Sequence, residues 1–367
     1  MQALAERGHA AERFRRWTLD AGAARVDYNG EAAMPLDLRF CASMLLRQAR
    51  TFQCAMAERE GHKPNETPAV CLSVPDAYSE AQTAALCDAA RMANLSVVGV
   101  VTTSEALAQS LASSRAGTAR GAAAASEEHV MFVDIGHTCT SVSISSFSSA
   151  SSSTSKSAPT VSTLAVQSSA AIGARDIDAS LFAHVTSHLS ANGGSDVAAK
   201  SKSGASVLRE CEKAKKVLST IPATEMFLEQ FNGARVKLRR ADVESACAGA
   251  IAKLRALIEA ALAEAGLDKE KLSSVEMSGG GARVPCYRDA VAAVVGSAGK
   301  LTTTLSPEAV AQGAASVGAL VIAAQRAVAA EVDRRERAVL RKKEEAARKK
   351  REQELFAAAA KLKAEEA

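Results

Sequence analysis

Residues 131–144, Met-Phe-Val-Asp-Ile-Gly-His-Thr-Cys-Thr-Ser-Val-Ser-Ile, constrain what this chain can fold into more than any other stretch. An apolar run ends at Asp134. A polar turn containing Gly136 follows, and Val142 and Ile144 then alternate with serines. The pattern predicts strand, tight turn, strand. Such a turn aims backbone N–H groups and a carboxylate at phosphate oxygens and a metal ion.

The flanking segments set the fold class. Asn29-Gly30 predicts the turn of an N-terminal hairpin, and Leu38, Met44, Leu45 and Phe52 have helical spacing across residues 36–60. The run Ala69–Val74, closed by Pro75, reads as a buried strand. Ser79 with Gln82 forms a capping box opening a helix to about Ala93. Leu95–Val101 is the next strand and Ser104 opens the next helix. Strand–helix–strand–helix order implies an α/β fold with parallel pairing.

Residues 113–128 read as a linker, and the serine-rich run between the strand at Val142 and the alternation Val161–Val166 reads as a solvated loop. Helices are expected from Asp176 and over Ser206–Ser219, with a hairpin over 224–240 turning at Asn232-Gly233. One long helix from Asp242 to Ala265 should stop at Gly266. A strand over Ser274–Ser278 runs into Gly279-Gly280-Gly281, followed by helices from Pro285 and Pro307. From about Gln325 the chain is a charged helix with Glu344–Arg348 and Glu345–Lys349 pairs. Val332, Val339 and Ala346 recur at seven-residue spacing, so both a coiled-coil seam and a solvated helix fit.

Composition limits the function classes. A net charge of +4 over 367 residues gives no argument for nucleic acid. The eight cysteines include no Cys-x-x-Cys pair, which leaves zinc and thioredoxin-like readings without support. His184 and His188 have i,i+4 spacing but no third ligand. The apolar runs fall short of a membrane helix, no signal-peptide core opens the chain, and the cytoplasm is the default location.

Three segments form a candidate site. Asp134–Cys139 is the first. Gly279–Gly281 with Arg283 is the second: it admits close approach of a ligand, and a packing turn uses the same residues. Glu212, Lys215, Lys216 and Ser219, at i, i+3, i+4 and i+7, share one helix face. Their alkyl stems suit a purine ring, with Glu212 and Ser219 bonding a ribose or base edge; a charged solvent face has the same composition.

The order of these motifs carries a resemblance. The Asp134-x-Gly136 hairpin is followed by Gly-x-Arg-Asp-x-Asp (173–178), Cys-Glu-Lys-Ala-Lys-Lys-Val-Leu-Ser (211–219), Gly-Gly-Gly-Ala-Arg-Val-Pro (279–285) and Pro-Glu-Ala-Val-Ala-Gln-Gly-Ala-Ala (307–315). This series resembles the second lobe of the nucleotide-binding domain of the heat shock protein 70 family. Val74-Pro75 with Gln82, and Asp88–Arg91, resemble its first lobe. Val133–Thr138 and Leu301–Leu305 are most similar to the heat shock protein 110 branch.

The resemblance implies an actin-like, ribonuclease H-like bilobed α/β fold. The first lobe falls at 1–125, the second-lobe base at 126–172 and 268–325, a helical and hairpin subdomain at 173–267, and a charged tail at 326–367. It implies ATP or ADP as ligand, held by Asp134, Gly136, His137, Thr138, Gly173, Glu212, Lys215, Lys216, Ser219, Gly279, Gly280, Gly281 and Arg283, with Asp134 facing Mg2+.

The sequence departs from the family pattern as well. The match starts beyond the first phosphate loop and beyond the catalytic lysine of the first lobe, and no substrate-binding β-domain follows Ala324. The acidic position after Leu95–Val101 is Thr103. Gly-Gly-Thr of the second loop is His137-Thr138-Cys139, and the carboxylate near Pro307-Glu308 is missing. Asp134 is the remnant of the metal-facing set, and no other catalytic residue is expected.

Three readings follow. In the first, the protein is a co-chaperone and nucleotide exchange factor with little ATP hydrolysis, partnered by a conventional heat shock protein 70 chaperone or an unfolded client, with no nucleic acid or membrane. The others are an ATP-dependent chaperone from a shortened gene model, and a structural subunit tethered by its C-terminal helix.

Overall fold

The computed structural model describes residues 17–20, 23–26, 34–115, 127–148, 160–191, 197–199 and 201–365. Strands β1 (Trp17–Asp20), β2 (Ala23–Val26) and β3 (Met34–Leu36) form an antiparallel sheet. The expected Asn29-Gly30 turn and the serine-rich run at 149–159 lie outside the described residues.

Helix α1 (Leu38–Arg59) leads to the parallel pair β4 (Ala69–Val74) and β5 (Ser96–Thr102). Between them runs α2 (Glu80–Met92), opened by the expected capping box. Ser79 Oγ accepts from Gln82 N, and Gln82 Oε1 accepts from Ser79 N at 2.9 Å. Helix α3 (Thr103–Arg115) follows β5 directly.

A five-stranded sheet has the order β12-β11-β6-β7-β8. Here β6 is Glu128–Ile135, β7 Thr140–Ser148, β8 Thr160–Ser169, β11 Leu272–Ser278 and β12 Leu301–Thr302. β6, β7 and β8 pair antiparallel, while β11 lies parallel to β6 with Ser278 opposite Asp134. The long apolar run of β6 is explained by burial on both faces. Met131, Val133 and Ile135 enter the large core, while Val130 and Phe132 meet Leu107 and Leu111 of α3. Arg115 at the end of α3 lies 3.0 Å from Glu128 and stacks over Phe147 at 5.2 Å.

The large core is closed by α4 (Ala174–Ala191), α5 (Lys202–Leu218), the hairpin β9 (Ala223–Leu228) and β10 (Ala234–Arg239), and α8 (Pro285–Val295). At the β9–β10 turn, Asn232 and Gly233 have φ of 52° and 71°. The single helix expected from Asp242 to Ala265 is instead two, α6 (Arg240–Ala246) and α7 (Ala248–Ala265). The break falls at Cys247, with φ −97° and ψ 4°, and its side chain is buried in the large core. Gly249, next but one, removes helix propensity at this joint. Gly266 ends α7 at φ 63°, and Leu267 N donates to Leu262 O, the 6→1 bond of a Schellman cap.

Helix α9 (Ala309–Glu365) starts against α3, where the space for a side chain at Gly313 is filled by the Ala106 carbonyl. Close contacts divide the chain after Val317. Within residues 318–367, Glu345 pairs with Arg341 at 3.6 Å, and Val332 and Val339 are exposed. The expectation that the apolar runs are too short for a membrane needs correction: an 18-residue window in α9 reaches a mean hydropathy of 1.4. Length and composition alone give that value, and the first turns of the helix are core, with Ala309 and Ala314 buried.

Candidate functional site

Two loops meet at the carboxyl ends of adjacent strands, where open α/β sheets place ligands. The first is the β6–β7 turn. Gly136 N donates to Cys139 O at 2.9 Å. The carbonyls of Gly136 and His137 accept from Ala174 N and Arg175 N at 2.9 and 3.1 Å. The turn is thus bonded internally and to the start of α4. Gly173 is needed for this contact, because a Cβ there would meet the His137 backbone. Burial pushes the Cys139 thiol up, so it is no reactive thiolate.

The second loop follows β11. Gly279 has φ +81°, and a Cβ on it would lie against the Ile135 carbonyl and 2.8 Å from Asp134 Oδ1. A Cβ on Gly281 would meet the Ile135 side chain. These glycines let the loop press on the end of β6, beside Asp134. Gly280 and Arg283 are exposed.

Burial lifts the Asp134 carboxyl above its usual range, a hydrogen bond with Ser278 opposes this, and the Asp76 charge adds to it. Asp76 was not among the residues picked from the sequence. It follows β4, and its Oδ1 accepts from Ser104 N at 3.4 Å while its Oδ2 is buried without a partner. Thr103, at the acidic position of the family pattern, donates its hydroxyl to Val74 O at 3.2 Å. The missed signal was positional: Asp76 is the carboxylate immediately beyond a parallel strand whose neighbour leads into the site.

The α5 quartet divides. Lys215 turns inward and donates to Asp178 Oδ2 at 2.7 Å and to Ala174 O at 3.0 Å. Lys216 pairs with Glu212 at 3.2 Å on the surface. Ser219 caps the helix and donates to Lys215 O. Glu212, Lys215, Lys216 and Ser219 therefore do not present one continuous open face. Lys215 and Ser219 line a hollow with Arg240, Glu244, Pro285 and Cys286, of about 10 Å³, the room of one water. A depression of about 720 Å³ lies between α5 and β9, and no residue of the expected site lines it. Among the described residues no three His, Cys, Asp or Glu side chains form a metal cluster.

The family described as Hsp70 protein matches residues 25–354. The chain belongs to the Hsp70 family. It is 31% identical over 301 residues to a heat shock protein homolog of Eremothecium gossypii, covering 81% of this chain and 40% of that protein. It is 30% identical to the like-named heat shock protein homolog of Saccharomyces cerevisiae, covering 68% of this chain and 35% of the relative. Heat shock 70 kDa protein 16 of Arabidopsis thaliana is 29% identical, over 58% of this chain and 27% of that protein. The chain thus spans well under half the length of these relatives. The fold is the actin-like ATPase fold of the family, and the likeness to its heat shock protein 110 branch stands with it.

Hsp70 family members in general bind ATP or ADP with Mg2+. Residues here fit those groups. The unpartnered Asp76 Oδ2 and the buried Asp134 provide hard oxygen donors, and Gly279–Gly281 leave the backbone bare of side chains.

Proposed function

We propose that this chaperone-type domain binds ATP or ADP with Mg2+ between the β4–β5 pair and the five-stranded sheet, hydrolyses it little, and promotes nucleotide exchange on a conventional Hsp70 partner. Asp134 and Asp76 would hold the ion, and Gly279–Gly281 with Arg283 the phosphates. Lys215 and Ser219 would flank the purine, with Glu212 and Lys216 at the rim. The bound metal supplies charge neutralisation at the phosphates. The chain's own residues bind and orient.

The observation that carries the low-hydrolysis reading is the stitched β6–β7 turn. Its Gly136 N–H is spent on Cys139 O and its two carbonyls on α4. Phosphoryl transfer depends on donors aimed at developing charge, and one donor of this turn, the Gly136 N–H, is turned to Cys139 O instead. Thr103 supplies a hydroxyl where the family pattern has a carboxylate, and that hydroxyl is engaged by Val74 O. The 10 Å³ hollow supports slow or weak purine entry, since its walls must part.

The exchange role rests on the likeness to the heat shock protein 110 branch. Its test is release of labelled ADP from a conventional Hsp70 with and without this chain, alongside phosphate release by the chain alone. Accelerated release with negligible phosphate supports the reading. Steady ATP turnover by the chain, or no effect on the partner's ADP, removes it.

A further inference from the structure

Among the described residues β9 has one strand neighbour, β10. The bonds between the two decide which backbone groups are left over. Arg240 N donates to Pro222 O at 2.9 Å, one step beyond the registered pair Ala223–Arg239. Bonded pairs alternate along an antiparallel ladder, and the register runs unbroken from Ala223 to Leu228. Thr224, Met226 and Leu228 therefore face β10 with their backbone groups, and the N–H and C=O groups of Ala223, Glu225 and Phe227 point the other way. Such an edge is a template for a further strand.

The depression of about 720 Å³ runs along this edge. Residues 224–230 form one wall, and Glu210, Lys213 and Val217 of α5 belong to the other, with nothing from β10. It therefore lies on the free side of β9, between a strand edge and a helix flank, a geometry that suits an added extended peptide. Its walls are amphipathic. Val217 and Phe227 are exposed at 38% and 54%. Arg235 of β10 lies over the Phe227 ring at 5.7 Å and pairs with Glu225 at 2.9 Å. Three carboxylates, Glu210, Glu225 and Glu229, line the groove against the single ammonium of Lys213. Lys213 pairs with Glu210 at 2.7 Å, and Glu229 has no ion pair among the described residues.

We infer that the α5–β9 groove binds an extended segment of another polypeptide, alternating basic and apolar residues, as a strand added to β9. Ala223, Glu225 and Phe227 supply the backbone pairing. Successive side chains of a strand point to opposite faces, and the two faces of this groove differ. Toward α5 the segment meets Val217, which calls for apolar residues. On the opposite face it meets Glu225 and Phe227, with Glu229 just beyond the strand. Lys or Arg suits that face, because its cation complements the carboxylates and its stem covers the ring. None of the residues proposed to hold nucleotide lines the groove, so its occupancy is readable without ATP or ADP.

The test is fluorescence anisotropy of the full chain with a labelled peptide of alternating Lys and Val, six residues long like β9. Saturable binding is expected, with the Glu-Val counterpart about tenfold weaker. Glu225→Lys with Glu229→Lys, both at exposed positions, should reverse that preference. Two further peptides carry N-methyl groups on the Lys amides or on the Val amides. Because a strand offers alternate N–H groups to each edge, one of the two should lose binding and the other keep it. Val217→Arg should fill the groove and abolish binding of the Lys-Val peptide. Absence of binding at millimolar peptide, equal binding of the Lys-Val and Glu-Val peptides, or equal binding of the two methylated peptides overturns the assignment. So does a dimer in sedimentation velocity that Val217→Arg dissolves, since the occupant would then be a second copy of this chain.

Discussion

Lys215 Nζ lies 2.7 Å from Asp178 Oδ2, with both side chains less than a tenth exposed. The pair ties α5 to the first turns of α4, and α4 in turn holds the β6–β7 turn. Burial keeps the Asp178 carboxyl above its usual range, with the Lys215 charge opposing that rise. Removing one partner leaves the other charge buried, which costs about 3–5 kcal/mol. Asp178→Ala should lower the urea midpoint accordingly, and Asp178→Leu with Lys215→Met should be less destabilised than the single change. A double variant as unstable as the sum of its parts contradicts the pairing.

Asp134 predicts a pH dependence of opposite sign to an ion-paired aspartate. Its folded-state carboxyl is raised, chiefly by burial. As pH rises from about 4, the unfolded chain loses this proton first, so folding loses stability until the raised value is passed, and then levels. Asp134→Asn removes the ionisation and should gain stability at pH near 7 while flattening that descent. Urea unfolding across the interval measures both, and a loss of stability at neutral pH would count against a desolvated carboxylate.

Gly279 and Gly249 should respond in opposite directions to alanine. At Gly279, φ +81° and the Ile135 carbonyl oppose a Cβ, so Gly279→Ala should cost about 1–3 kcal/mol. At Gly249 nothing lies within 4 Å, so Gly249→Ala should gain about 0.5–1 kcal/mol from helix propensity alone. Thermal melts of the two variants decide it.

Asp76→Asn should weaken the Mg2+-dependent part of ADP binding by about tenfold, or ~1.4 kcal/mol. It should also lower the Asp134 carboxyl, because a like charge is removed. Calorimetric titration with Mg2+ and with a chelator separates these effects. An equal loss in both conditions would mean that Asp76 supports the loop and not the ion.

Elements with strong local signals were legible in the sequence. The Ser79–Gln82 box, the Asn232-Gly233 turn and the Gly266 cap are each fixed by residues within one turn, and the structure has all three. The long helix expected through Cys247 failed because a tertiary demand, burial of that side chain in the large core, outweighs helical continuity in a weak segment. The quartet on α5 misled in a similar way. Spacing puts Lys215 beside Lys216, but the burial of Asp178, on a different helix, decides which lysine turns inward. Asp76 was hidden because its significance depends on Asp134, 58 positions later (134 − 76), and on two sheets whose strand ends face one cleft.

Gly313 fixes how closely α9 approaches α3. With the Ala106 carbonyl filling the place of its side chain, α3 and α9 touch backbone to backbone, with no rotamer between them to absorb a change. Ala106 lies in the turn of α3 that begins at Thr103, whose hydroxyl donates to Val74 O. The crossing therefore acts as a spacer of fixed thickness. One added methyl at position 313 has nowhere to go except into the Ala106 backbone, so the spacing of these two helices is set by the smallest residue type in the chain.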